Sequence, residues 1–166
     1  MRMNKNLLTI AITFFVVILS SCKKDVQVGG TAVQELAGDW YVRVYNQNGT
    51  LASPSYYTIH SYNTAANAAT EMWFEDHFYD TKFKVPVSPS TLTFGGTAAI
   101  KNSDPEYEVE ITLTNGKIIK KGTIGPASKS PTDSIYYEVQ YSDDDPANKK
   151  YYMGGYKRTG FEDDDH

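Results

Sequence analysis

The stretch Tyr107-Glu108-Val109-Glu110-Ile111-Thr112-Leu113, followed closely by Asn115-Gly116, is the clearest strand pattern in the sequence. Its apolar and polar residues alternate, which places them on opposite faces of a β-strand, one packed and one wetted. Asn-Gly is a dipeptide favoured in the type I′ turns of hairpins. The sequence therefore predicts a hairpin over residues 107–124, with Val109, Ile111 and Leu113 in the core.

Similar alternating segments recur along the chain, separated by turn residues, as in all-β sandwiches and barrels. No stretch of ten or more residues has helical periodicity, although residues 64–69 could form one helical turn. Closing a sheet into a barrel removes its exposed edges. We therefore expect an antiparallel up-and-down β-barrel of about eight to ten strands, with a β-sandwich as the alternative. The other predicted strands are 40–45, 56–62, 70–76, 81–87, 91–94, 98–102, 135–141 and 151–158.

The first residues have the pattern of an export signal. Arg2 and Lys5 precede an apolar run over residues 7–19, which has the length of a signal-peptide core and is short for a bilayer span. Leu19-Ser20-Ser21-Cys22 resembles the lipobox of bacterial lipoproteins. This resemblance implies cleavage before Cys22 and attachment of acyl chains such as palmitate to Cys22, which would anchor the protein in a membrane.

Four parts of the chain follow from this interpretation: a signal peptide over 1–21, a flexible tether over 22–34, a barrel domain over 35–161 and an acidic tail over 162–166. The tether contains Gly29-Gly30 and has no apolar periodicity. The expected location is the bacterial cell envelope, most simply the outer membrane, facing either the periplasm or the cell surface.

The charge and cysteine content exclude several functions. The formal net charge is −4 and becomes more negative once Arg2 and Lys5 are removed, so nucleic acid is not an expected partner. Cys22 is the single cysteine, which leaves no thiol for disulfides, catalysis or zinc. The acidic runs 143–145 and 162–165 lack EF-hand spacing and are interpreted as a solvated loop and a frayed tail. No metal or cofactor is predicted.

Aromatic residues supply the candidate ligand-binding positions. The chain has 13 tyrosines, several in adjacent pairs, and neighbours on a strand face opposite sides. About half should therefore face the barrel interior, either as core residues or as the lining of a ligand pocket. The candidate ligand-binding residues are Tyr56, His60, Trp73 and Tyr137.

The sequence contains none of the common hydrolase motifs, such as Gly-x-Ser-x-Gly or His-Glu-x-x-His. His77 lies among carboxylates in Glu75-Asp76-His77 with Asp80, a segment interpreted as a solvated turn. His60 precedes Ser61, but adjacent strand residues point apart. No catalytic residue is assigned, and whether the protein is an enzyme stays open.

Gly38-Asp39-Trp40 is similar to the start of lipocalin-type barrels, in which a basic side chain near the last strand covers the tryptophan. The resemblance implies that Arg158 stacks on Trp40 and that the first and last strands meet. A wider resemblance, to a family of small bacterial lipoproteins described as lipid-binding putative hydrolases, rests on these segments: Ala37-Gly38-Asp39-Trp40, Tyr62-Asn63-Thr64-Ala65, Glu71-Met72-Trp73, Asp133-Ser134-Ile135 and Arg158-Thr159-Gly160-Phe161.

Three functional hypotheses follow. The first is a lipid-anchored barrel that binds a small lipid-like or amphipathic ligand in a cavity partly lined by tyrosine. The second is an esterase-like hydrolase, implied by the family description. The third is a non-enzymatic accessory or adhesive surface lipoprotein with a filled barrel. The volume inside the barrel distinguishes the first from the third.

Overall fold

The computed structural model describes residues 29–166. The predicted signal peptide, Cys22 and the tether up to residue 28 lie outside the described residues. Nine strands are present: β1 (Gly38–Asn46), β2 (Tyr57–Asn63), β3 (Glu71–Asp76), β4 (Thr81–Ser88), β5 (Thr93–Phe94), β6 (Ile100–Lys101), β7 (Glu110–Ile124), β8 (Pro131–Tyr141) and β9 (Lys150–Lys157). Short 3-10 helices cover Gln34–Leu36 and Glu162–Asp164, while residues 64–69 form turns without a helix. No helix within residues 29–166 is long and apolar enough to cross a bilayer.

The strands form a closed antiparallel barrel. From β1 to β5 each strand pairs with the next along the chain, and β7, β8 and β9 do the same. β9 pairs with β1 and β5 pairs with β7, which closes a ring of eight strands. β6 lies beside β5 on the same edge of β7. The predicted up-and-down barrel is confirmed, and the sandwich alternative is wrong.

The predicted hairpin over residues 107–124 is wrong, because β7 runs without reversal through Asn115-Gly116. Asn115 has a φ of 55°, and the register with β8 shifts between Thr114 and Lys117, which marks a β-bulge. β8 continues to pair on both sides of the bulge, and β5 pairs with Gly116 from the other edge. Val109, Ile111 and Leu113 are buried in the core, as predicted.

The chain enters the barrel at the end where β1 begins and β9 ends, which we call the tether end. The opposite end, where β3 turns into β4, is the distal end. Val33 and Leu36 are fully buried and close the tether end, so the ordered domain begins before residue 35. Trp40 Nε1 donates to Ser61 Oγ at 2.9 Å, and this hydroxyl donates to the Leu36 carbonyl at 2.7 Å. The indole is thereby fixed inside the barrel.

Lys157, and not Arg158, supplies the cation next to Trp40. Lys157 stands directly opposite Trp40 in the β1–β9 register, and its Nζ lies 5.6 Å from the ring centroid. Arg158 is the next residue and pairs with Asp165 instead. The predicted meeting of the first and last strands is correct. The predicted stacking partner is wrong by one residue, because successive side chains on a strand diverge.

The acidic tail is docked on the barrel, so its interpretation as frayed is wrong. Asp164 is fully buried and accepts hydrogen bonds from the backbone N–H groups of Ala127 and Ser128 at 2.8 and 2.9 Å. The hydroxyls of Ser128 and Thr159 also donate to its carboxylate, at 2.5 and 2.6 Å. Burial alone would raise the pKa of Asp164, but these hydrogen bonds outweigh it and hold the pKa well below the ordinary value of 3.8.

Replacing Asp164 by Asn should lower the urea midpoint at pH 7, because the amide cannot accept all of these hydrogen bonds. A carboxyl group whose pKa is lower in the folded state stabilises the fold above its unfolded-state pKa. That stabilisation is lost as the pH falls below about 4, through the folded-state pKa. Urea titrations at pH 7 and pH 3 should show a smaller pH dependence for Asp164→Asn than for the unaltered protein. An unchanged pH dependence would contradict the docked tail.

Candidate functional site

The barrel interior is packed with large side chains. The Phe74 ring lies 5.2 to 5.7 Å from the rings of Tyr137, Phe94 and Phe83, and this cluster crosses the barrel. Tyr137 is fully buried, as expected for an interior candidate, and its hydroxyl has no hydrogen-bond partner within residues 29–166. Burial raises the pKa of the Tyr137 hydroxyl well above its ordinary value, and the charge of Asp76 adds to this shift. Tyr137 is therefore a core residue here.

A buried carboxylate lies at the distal end. Asp76 is fully buried; it accepts a short hydrogen bond from the Tyr141 hydroxyl and another from the Phe78 N–H at 2.8 Å. Burial raises the pKa of Asp76, although both hydrogen bonds oppose that shift. Tyr79 stacks on Tyr141 with 3.9 Å between ring centroids. The β3–β4 turn therefore covers this end of the barrel with aromatic rings.

The other three candidate ligand residues lie on the outer face. Tyr56 stacks on His166 with 4.0 Å between ring centroids, whereas the next residue, Tyr57, packs against the core. His60 and Trp73 alternate with buried neighbours on β2 and β3 and also point outward. These residues do not line the barrel interior, and the structure does not bring them together with Tyr137 around one cavity.

A groove of about 710 Å³ opens on the side of the barrel where β5 bridges β4 and β7. We call it the β5–β7 groove. At its floor β5 and β7 pack closely through their backbones, and only glycine fits there. An added Cβ on Gly116 would lie 2.4 Å from the Phe94 carbonyl oxygen, and one on Gly95 would lie 2.6 Å from the Leu113 carbonyl oxygen. The bulge in β7 therefore lies in the wall of the groove. The groove is lined by Pro86, Val87, Ser88, Thr93, Phe94, Gly95, Asn115, Gly116, Lys117, Tyr136 and Glu138.

The polar rim of the groove carries one free positive charge. Glu138 is neutralised by Lys150 at 2.9 Å and accepts from Asn115 at 3.0 Å, contacts that together lower its pKa against the effect of burial. Lys117 forms no ion pair within residues 29–166, and its Nζ lies 5.2 Å from the centre of the Tyr136 ring. Pro86 and Val87 line the same groove, so apolar side chains lie beside a cation and an aromatic hydroxyl, an arrangement suited to an amphipathic molecule with an anionic end.

A comparison with family models matches residues 25–162 to the family described as lipid-binding putative hydrolase. The match covers most of the chain and all nine strands. The chain belongs to this family. A search of the curated proteins finds no match. The lipid-binding putative hydrolase family and the closed barrel together support a lipid-binding barrel.

For the hydrolase part of the family description, the histidine environments matter most. His60 Nδ1 lies 2.7 Å from Asp39, and His77 Nδ1 lies 3.3 Å from Asp80. Such carboxylates orient imidazoles in catalytic triads, but a nucleophile is also required. Within residues 29–166 no serine hydroxyl is hydrogen-bonded to either ring, and Ser61 is buried on the inner side of β2.

The acidic segment around His77 does not form one cluster. Asp76 faces inward, whereas its neighbours Glu75 and His77 lie on the outer side or in the turn. Glu75 pairs with Lys82 at 2.6 Å. Within residues 29–166 no group of three or more His, Cys, Asp or Glu side chains is placed to hold a metal ion.

Sequence reasoning missed the β5–β7 groove because it assigned Asn115-Gly116 to a turn. One signal was available: the alternation resumes at Lys117 and Ile118 directly after the dipeptide, with its phase shifted by one residue relative to Ile111 and Leu113, as in a bulged strand. The pairing partner that prevents a reversal, β5, is only two residues long and gives almost no periodic pattern.

Proposed function

We propose that this protein is a lipid-anchored barrel of the bacterial cell envelope that binds a small amphipathic ligand in the β5–β7 groove. The observation that carries the proposal is Lys117, which forms no ion pair within residues 29–166 and lies at the rim of a groove lined by Pro86 and Val87. A fatty acid or a similar molecule offers a matching anionic head and apolar chain. The family description supports the same ligand class.

The anchoring half of the proposal rests on the sequence. An apolar run over residues 7–19 leads into Leu19-Ser20-Ser21-Cys22, the pattern that places an acylated cysteine at the start of a mature lipoprotein. Each buried methylene of an acyl chain contributes about 0.8 kcal/mol, so several chains on one residue give durable attachment. The proposed location is the outer membrane, with the barrel facing the periplasm or the cell surface.

Replacing Cys22 by Ser in the full chain should move the protein from the detergent phase to the aqueous phase in a Triton X-114 partition. The expected change is nearly complete, because no acyl chain can be attached at a serine of this motif. Ser20→Ala keeps a small residue before the cysteine and should stay in the detergent phase. Partition of Cys22→Ser into detergent would contradict the anchoring.

Replacing Lys117 by Met should weaken binding of dodecanoate about tenfold, measured by isothermal titration calorimetry. The methionine keeps most of the apolar stem and removes only the charge. Binding of the neutral dodecanol should change little, since it has no anionic head. Thr93→Trp, which places a large ring in the groove, should weaken binding of both molecules.

The matched control is Lys149→Met. Lys149 also places its Nζ over a tyrosine ring, at 4.8 Å from the centre of Tyr151, but it lies outside the groove. Its substitution should leave both affinities unchanged. Equal weakening by Lys117→Met and Lys149→Met would contradict the head-group role of Lys117. Unchanged binding in Thr93→Trp would contradict the groove as the site.

The packed interior favours one other function, that of an accessory or adhesive surface lipoprotein. Phe74, Phe83 and Tyr137 fill the space in which a barrel would otherwise hold a ligand. The titrations above distinguish the two functions. An absence of binding by both dodecanoate and dodecanol would favour the accessory function.

A further inference from the structure

Exposed apolar side chains are concentrated at the tether end of the barrel. Four large apolar residues within residues 29–166 are strongly exposed: Leu51, Ile119, Ile124 and Phe161. Leu51 belongs to the loop after β1, at the distal end. The other three are each 51 to 52 % exposed. Ile119 lies in the second half of β7, Ile124 ends β7, and Phe161 follows β9, and both strands finish at the tether end. Concentrated exposed apolar groups mark surfaces that contact a partner or a membrane.

Specific contacts hold these three residues in one region. Ile119 and Ile124 flank a second bulge in β7, where Lys121 has a φ of 50° and the register with β8 shifts between Ile119 and Thr123. The turn after Ile124 is bonded to Asp164 through the Ser128 N–H and hydroxyl. Asp164 follows Phe161 by three residues, and the Asp164 N–H donates to the Phe161 carbonyl at 3.0 Å. The tip of β7 and the segment around Phe161 therefore form one rim.

The incoming chain reaches the same rim. Lys120, between the two isoleucines, pairs with Glu35 at 2.9 Å, and Glu35 lies in the 3-10 helix that precedes β1. Gly29 is seven residues after Cys22, and a fully extended chain of that length spans at most about 25 Å. An acylated Cys22 would therefore hold the tether end, and not the distal end, close to the bilayer.

We infer that Ile119, Ile124 and Phe161 form a membrane-facing surface that rests on the lipid bilayer. The inference rests on the proposed anchoring at Cys22 and adds an orientation of the barrel. Lys121 and Lys129 lie beside this surface, but Glu162 and Asp163 are exposed there too, so apolar insertion rather than net charge drives the contact. Lys117 lies two residues before Ile119, so the same orientation brings the β5–β7 groove close to the lipid from which a ligand would come.

The test uses the full, lipidated chain in vesicles of phosphatidylcholine with one fifth phosphatidylglycerol. Ile124→Cys, Phe161→Cys and Leu51→Cys are each labelled with an NBD fluorophore, since the thiol of an acylated Cys22 does not react. NBD emission is blue-shifted by a lipid environment, and spin-labelled lipids quench it on contact. We expect quenching at positions 124 and 161 to exceed that at position 51 at least about twofold.

The outcomes separate the two proposals. Equal quenching at positions 51, 124 and 161 in vesicle-bound protein would overturn the membrane-facing surface while the anchoring stands. Stronger quenching at position 51 would overturn it as well, by showing the reverse orientation. A chain that remains in the aqueous phase would overturn the anchoring at Cys22, and the inferred surface with it.

Discussion

Gly155→Ala should destabilise the protein by about 3 kcal/mol or more, or prevent folding, because it forces backbone atoms apart at the closure of the barrel. Gly155 lies on β9 opposite Val42 of β1. A Cβ at this position would be 1.9 Å from the Tyr41 carbonyl oxygen and 2.7 Å from the Val42 Cα. Backbone cannot move away as a flexible side chain would, so the β1–β9 pairing itself must shift. Urea unfolding followed by circular dichroism measures the loss.

The neighbouring residue provides a matched control. A Cβ on Gly154 meets no atom within 4 Å, so Gly154→Ala should change the free energy of unfolding by less than about 1 kcal/mol. The two variants make the same chemical change one position apart on the same strand. Similar stabilities for both variants would contradict the close β1–β9 contact and hence the way in which the barrel closes.

Ile111→Ala should cost about 2 to 5 kcal/mol of unfolding free energy, as large-to-small changes in a packed core do. Ile111 is fully buried near the start of β7, on its apolar face. Ile119→Ala, on the same strand but half exposed, should cost much less. Unfolding in urea gives both values, and an unchanged m-value would show that the compactness of the denatured state is the same. A cost below about 0.5 kcal/mol for Ile111→Ala would mean that the faces of β7 are reversed.

Strand positions were predictable because apolar and polar residues alternate along most of the strands. The segments around Ile59, Phe83 and Tyr137 alternate clearly, and each forms a strand within a few residues of its predicted bounds. The closed ring also followed from the number of antiparallel strands. Asn115-Gly116 was the exception, because the same dipeptide suits a turn and a bulge. The choice between a turn and a bulge depends on tertiary contacts, namely the pairing of β7 with β5 and β8.

The direction of individual side chains was harder to predict. In the adjacent pair Tyr56-Tyr57 either residue could face inward, and the structure turns Tyr57 toward the core. The same one-residue ambiguity explains why Lys157, not Arg158, meets Trp40. A slip of one residue on a strand moves a side chain to the opposite face. For Tyr57 the available signal is Ile59, which lies two residues later on the same face of the strand and is fully buried.

The acidic tail shows a different limit of sequence reasoning. A run of acidic residues is normally a solvated segment, and the composition of residues 162–165 contains nothing that contradicts this. Asp164 is buried because the turn around Ser128 presents unpaired N–H groups to it, and that turn lies 36 residues away. Such long-range partners become visible only once the fold is known.

A methyl and amide NMR titration of the protein with dodecanoate distinguishes a ligand bound in the β5–β7 groove from one bound inside the packed barrel. Met72 and Met153 are fully buried inside the barrel, so their methyl signals report on the interior. We expect dodecanoate to shift the amide signals of Gly116 and Lys117 and to leave both methionine methyl signals in place. Contacts between the acyl chain and the Met72 or Met153 methyl groups, with the Gly116 amide unchanged, would contradict the account.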